Sequence, residues 1–183
     1  MSVLQTRGGI PRVFRATVES ETTPGDADWG APTGNSVTIT GAASLPLLAS
    51  GQSFLVRDHA AANNNGLYIA TGTPTTSSLP CTKLTGDAPT DEAASATAIF
   101  ALGRARSFGF TSLYLILRVL TNPCKLYFSQ ADYIDDVNFL TLPVAAADAP
   151  HGEWRGPIEA KEVWLLGDGG DTDIELVAFQ RRG

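Results

Sequence analysis

Residues 51–72 read GQSFLVRDHAAANNNGLYIATG, and this stretch decides the fold class. Residues 53–57 (SFLVR) and 67–71 (LYIAT) read as strands. Between them, residues 58–66 are polar and Asn-rich and end in Asn65-Gly66, a pair that tolerates positive φ and so turns the chain. The segment holds no nucleophile beside its base and no metal-ligand spacing. It reads as a scaffold hairpin, which says what kind of object the chain builds more clearly than what the object does.

Working outward, residues 36–40 (SVTIT) alternate cleanly as a strand, and 45–48 form a short apolar segment broken by Pro46. After the hairpin, residues 73–78 are a Thr/Ser loop. Residues 79–84 read as an edge strand, because Pro80 cannot donate a ladder hydrogen bond. Residues 87–98 are the one place expected to coil into a short helix: Pro89 and Thr90-Asp91-Glu92 suit a helix start. Residues 98–102 return to strand. The run 111–120 (TSLYLILRVL) is apolar on both faces for most of its length, which predicts cover on both sides. Residues 124–129, 137–142, 157–166 and 172–181 are further strands, with an acidic irregular stretch at 132–136 and a long Ala/Asp/Pro loop at 143–156. In the last strand Ile174, Leu176 and Ala178 form an apolar face, and Glu175, Val177 and Phe179 form a mixed one.

Toward the N-terminus, residues 12–18 partly alternate as a strand, and 19–35 are loop around Trp29. Residues 1–11 have little power to form a core and read as an extended arm, either a frayed end or a segment lying on a neighbouring subunit. Short strands, regular turn signals and almost no helix predict an all-β protein, an antiparallel sandwich or jelly-roll-like fold in two small lobes. The expected divisions are 1–35 (arm and loop), 36–103 (hairpin module) and 104–183 (C-terminal sandwich).

The chain has 183 residues, 43% of them hydrophobic, with 18 Gly and 11 Pro, enough for one domain or two small ones. No stretch approaches the ~20 apolar residues of a membrane span, and the start lacks a signal-peptide core, so synthesis in a cytoplasm is expected. A net charge of −6 and the brevity of Arg104-Ala105-Arg106 and Arg181-Arg182 argue against nucleic acid. The histidines, His59 and His151, lie in no nucleophile-elbow pattern, so no enzyme and no cofactor are expected. Cys81 and Cys124 make no zinc pattern; they either pair or stay as two buried thiols. Asp168, Asp171 and Asp173 suggest a calcium loop by spacing, against a plain Gly-rich hairpin turn with solvated carboxylates. Trp29, Tyr133 and Trp154 sit in expected loops as candidate partner or glycan contacts; for Trp29 the alternative is plugging a hydrophobic seam. Val177 and Phe179 are candidate inter-subunit contacts, since the mixed face of the last strand invites cover by a partner.

The hairpin also carries a resemblance. Gly51-x-x-Phe54-Leu55-Val56-Arg57-Asp58, then Asn65-Gly66-Leu67-Tyr68-Ile69, resembles a β module of tailed-bacteriophage fibre and other virion proteins, where a VLVKDQ strand precedes NGIYVV. Residues 81–88 (CTKLTGDA) stand where that family has an aromatic followed by TRATDAD, and Ala98-Ile99-Phe100-Ala101 where it has TVFV. The likeness covers residues 44–103; Cys81 replaces the usual aromatic, and residues 71–80 have their own sequence. It implies a virion part made in a host cytoplasm. The expected object is a non-enzymatic capsid decoration (cement) protein or small head or tail appendage, homo-oligomeric and trimeric, with major capsid or tail proteins as partners. The alternative is a tail-fibre or baseplate module that binds a receptor carbohydrate.

Overall fold

The computed structural model describes residues 11–41, 45–95, 97–144 and 153–180. The chain is nearly all β, in two antiparallel sheets. Its first strands are β1 (Pro11–Val18), β2 (Glu21–Thr22), β3 (Ala27–Trp29), β4 (Ser36–Gly41) and β5 (Ser53–Arg57). Then come β6 (Gly66–Ala70), β7 (Ser78–Lys83), β8 (Glu92–Ser95), β9 (Ile99–Ala101) and β10 (Arg104–Val119). The last are β11 (Cys124–Tyr127), β12 (Leu140–Leu142), β13 (Glu153–Gly167) and β14 (Thr172–Gln180), with a short helix α1 (Gln130–Asp135) after β11.

Two compact units result, one from Met1–Ser20 with Ala105–Gly183 and one from Glu21–Arg104. The expected division after residue 35 is not where the chain divides. β1 pairs with β14 along its whole length, Pro11 opposite Phe179 to Val18 opposite Thr172, and so belongs to the C-terminal unit. The stretch read as loop carries β2 and β3, which join the hairpin's sheet. The arm proper, residues 1–10, lies outside the described residues.

The unit of residues 21–104 holds an eight-stranded sheet in the order β2-β9-β5-β6-β7-β4-β3-β8. The hairpin is β5 and β6, paired from Ser53–Ile69 to Val56–Gly66, with a single 3-10 turn at Ala62–Asn64 in its connection. Its inward positions Phe54, Val56, Tyr68 and Ala70 enter one core with Val37, Ile39, Leu79 and Phe100. The sheet curls round that core: Trp29 of β3 stacks on Phe100 of β9, centroids 6.0 Å apart, although four strands separate them in the sheet. Two expectations fail here. Residues 92–95 form β8 on β3, not a helix, because pairing with Ala27 and Trp29 overrides the helix-start signals. β7 is interior, between β6 and β4. Pro80 is tolerated because its carbonyl accepts from Thr71 N–H at 2.8 Å. Its N–H-less nitrogen faces that same side, past the end of β6.

The other unit holds a six-stranded sheet in the order β1-β14-β10-β13-β11-β12. A bulge at Leu113 shifts the β10 register, and the Ser112 hydroxyl donates to Tyr114 O at 2.8 Å inside it. The inward residues are therefore Phe108 and Phe110 before the bulge and Leu115, Leu117 and Val119 after it. They pack with Leu126, Val163, Leu165, Ile174 and Leu176. β1 also reaches β13, and Gly167 N–H donates to Glu19 O at 2.9 Å, so this sheet too curls on itself. The acidic stretch expected to be irregular is α1. The Ser129 side chain accepts from Asp132 N–H at its start, and Asp136 adopts φ +51 at its end. Of the strand expected over 137–142, only Leu140–Leu142 is extended. Trp154 falls within β13, not in a loop.

Candidate functional site

The six-stranded sheet has a second face. Over β11 and β13 it is covered by α1: Tyr133 stacks on Trp164, centroids 4.9 Å apart, and meets Tyr127 edge-on at 5.4 Å. Over β10, β14 and β1 the same face carries two apolar rows set by register. One is Pro11, Phe179 and Tyr114; the other is Val13, Val177 and Ile116. Val13 is 61% exposed, Leu113 beside the bulge is 38% exposed, and Tyr114, Ile116, Val177 and Phe179 are half-buried. The expectation that residues 111–120 are covered on both sides is thus corrected. Leu115, Leu117 and Val119 are buried, and Ile116 and Tyr114 are not.

A charged row closes the apolar pair. Arg15 meets Glu175 at 2.7 Å, Glu175 meets Arg118 at 3.6 Å, and Arg118 meets Glu153 at 3.3 Å. Arg155 completes the row on Glu153. Beyond it the Thr17 hydroxyl donates to Asp173 at 2.7 Å, and Arg15, Thr17, Leu120, Asp173 and Glu175 wall an open groove. Among the described residues, the chemistry this face offers is shape, apolar area and alternating charge.

Val177 and Phe179 therefore sit together, both half-buried, on a face that no other described element covers, with Phe179 edge-on to Tyr114 at 6.0 Å. Sequence reading missed their row partners Val13, Tyr114 and Ile116, since the register that aligns them pairs residues as far apart in sequence as Tyr114 and Phe179 or Val13 and Val177. The other candidates fall elsewhere. Trp29 is fully buried, with no ring face for a sugar, and fills the seam between β3 and β9. Tyr133 is fully buried under the same correction. Trp154 is half-buried, packed against the core and tilted on Phe128 at 5.9 Å.

Two of the three aspartates around the β13–β14 turn have their carboxylates engaged by the protein, and Asp168 is held through its backbone, its N–H donating to Pro123 O at 2.8 Å. Asp171 accepts from Ser20 N–H and Oγ–H at 2.9 and 3.0 Å, and Asp173 accepts from Thr17. Among the described residues no three His, Cys, Asp or Glu side chains gather as a metal ion needs. Cys81 and Cys124 are free and buried, and burial pushes both thiols up to about 12. His59 is buried at the start of the hairpin connection, and burial lowers its pKa. His151 lies outside the described residues. Lys83, 3% exposed, donates to Asp87 O at 2.9 Å and to Asn63 O, tying two loops together, and burial lowers its pKa.

In comparisons with known proteins the chain matches no family model, no curated protein and no solved structure.

Proposed function

We propose that this chain is a non-enzymatic structural part of a tailed-phage virion. It acts as a capsid decoration (cement) protein or a small head or tail appendage, assembling as a homotrimer and binding major capsid or tail proteins. The observation that carries the reading is a sheet apolar on both faces, with the rows Pro11–Phe179–Tyr114 and Val13–Val177–Ile116 left open. Such a face is a cost to a lone molecule and an asset to one that meets copies of itself or a neighbour. The hairpin pattern supports the virion setting: the residues that resemble the phage module are the paired strands β5 and β6. The carbohydrate-binding alternative loses support, because two of its three aromatic platforms are interior.

Two measurements test this. Light scattering at micromolar concentration is expected to give three times the chain mass, and a monomer refutes the trimer. Quantitative mass spectrometry of purified particles is expected to find the chain in the virion. Hundreds of copies mean decoration, a few copies in multiples of three mean a tail or neck part, and absence refutes the virion role.

A further inference from the structure

β1 is the end strand of the six-stranded sheet, and the pairing fixes which of its peptide groups face outward. Leu120 N–H donates to Asp173 O at 2.8 Å, one step beyond the paired residues Val119 and Ile174. Peptide groups alternate sides along a strand, so Asp173, Glu175, Val177 and Phe179 turn theirs toward β10. Ile174, Leu176 and Ala178 turn theirs toward β1, where they meet Ala16, Phe14 and Arg12. The carbonyls of Pro11, Val13 and Arg15, and the N–H groups of Val13 and Arg15, therefore point away from the sheet. Further along, the edge is closed: Thr17 O accepts from Arg106 Nη2 at 3.5 Å, and Glu19 O accepts from Gly167 N–H at 2.9 Å. From Pro11 to Arg15 no described strand lies on the outer side of β1.

Two side-chain rows of the open face stop at this edge. The apolar row runs Ile116, Val177, Val13, and Val13 at its end is 61% exposed. The charged row alternates in sign: Glu153, Arg118, Glu175, Arg15. Arg15 at its end has a side chain 79% exposed, and a guanidinium carries more N–H groups than its one contact with Glu175 uses. Residues opposite each other on adjacent strands lie on the same face and touch. A strand added outside β1 would therefore continue both rows with an apolar residue opposite Val13 and a carboxylate opposite Arg15.

That charge requirement selects the occupant. Residues 1–10 (MSVLQTRGGI) contain no carboxylate, and neither does β1 of a second copy (PRVFRATV), which would bring two more arginines. We propose that the outer edge of β1 binds an extended segment of a different protein, antiparallel to β1, in which an acidic residue opposite Arg15 is followed two positions later by an apolar residue opposite Val13. Main-chain bonds to the Val13 and Arg15 peptide groups supply the attachment, and the two side chains set its register. The inference rests on the reading that this chain binds another protein, but it needs neither the trimer nor the virion setting. Loss of either leaves the edge as it is, and failure at the edge leaves both readings standing.

The test uses the full chain, labelled with nitrogen-15, and two capped peptides, TETVTVT and its charge-reversed form TKTVTVT. Amide shifts and hydrogen exchange are read by NMR. At millimolar concentration TETVTVT is expected to shift and protect the Val13 and Arg15 amides, and to leave the protection of Phe14 and Ala16, already bonded to β14, unchanged. TKTVTVT is expected to bind about two- to fivefold more weakly, the range of an exposed ion pair. Arg15→Glu is expected to reverse that order; if the variant fails to fold, the comparison of the two peptides on the wild-type chain still decides. No shift at Val13 and Arg15, shifts confined to other residues, or equal binding of the two peptides to the wild-type chain overturns the proposal. So does strong protection of these two amides before peptide is added. Protection lost on dilution then means that a second copy holds the edge, and protection that survives dilution means that the chain's own residues do.

Discussion

Gly66→Ala is expected to weaken the eight-stranded unit by about 2–5 kcal/mol, and the figure can be built from its surroundings. Gly66 opens β6 with φ +136, a region that costs an L-residue about 1–2 kcal/mol or more. A Cβ there would lie 2.9 Å from Lys83 Cε, 2.9 Å from Thr85 Oγ1 and 3.3 Å from Thr85 O. Neither side chain is free to yield. Lys83 is buried and held by the carbonyls of Asn63 and Asp87, and Thr85 Oγ1 accepts from Leu67 N–H at 2.9 Å. Moving them overpacks the site or breaks bonds worth about 1–3 kcal/mol in all. The sum approaches a large share of the ~5–15 kcal/mol that holds a domain together. Gly51→Ala isolates the backbone term, since Gly51 has φ +87 and nothing within 4 Å of a Cβ, so a loss of only about 1–2 kcal/mol is expected there. Urea unfolding followed by tryptophan fluorescence reads both, Trp29 being a core residue of this unit. If Gly66→Ala is no worse than Gly51→Ala, the packing of Lys83 and Thr85 against the turn is not what makes glycine necessary.

The remaining predictions are shorter. Leu115→Asp is expected to abolish soluble folding, because it puts a carboxylate in the core at a cost of several kcal/mol; Ile116→Asp, on the open face, is expected to fold with nearly unchanged melting and to lose self-association by light scattering. A soluble, normally melting Leu115→Asp chain refutes the assigned register. His59 has a folded pKa below its unfolded value near 6.5, so the unfolded chain takes the proton first. Stability is whole above that pH and falls as pH drops below it, by at most ~1.4 kcal/mol per pH unit. Urea midpoints at pH 5 and 8 that shift equally in wild type and His59→Gln exclude this origin. EDTA is expected to leave the melting temperature unchanged, since Asp171 and Asp173 are bonded to Ser20 and Thr17; a clear drop means the turn binds calcium.

What the sequence disclosed follows from how local each signal is. The hairpin at 53–70 and the alternation of β14 are period-two patterns with a turn beside them, and both are present where they were read. Trp29 looked like a loop residue because β3 is three residues long and owes its existence to β4 and β8 on either side. Residues 12–18 read as a strand, but nothing local says that the partner is β14, some 160 residues on. Helix α1 was missed, though Ser129 three residues before Asp132 is a start signal; six residues of helix leave no periodicity to detect. The run at 111–120 seemed apolar on both faces partly because the bulge at Leu113 changes which parity faces inward midway.

That bulge also bears on why the open face is bounded. After Leu113 the outward residues of β10 are Tyr114, Ile116 and Arg118, and β14 presents Phe179, Val177 and Glu175 beside them. β1 adds Pro11, Val13 and Arg15. Across three strands the order is therefore apolar, apolar, charged. The charged row contributes little to stability, because exposed ion pairs are worth about 0–1 kcal/mol each and Arg15 is 79% exposed. Its stronger effect is on register. A one-residue slip of β14 would carry Glu175 into the core and Ile174 out of it, an error that costs far more than the ion pairs return. The same row ends the apolar patch on one side, as α1 ends it across β13 and β11. A patch closed by charge and by a helix can be covered by one neighbour without offering the flat, continuous face that lets sheets stack indefinitely. That is the surface a closed oligomer of the proposed kind requires.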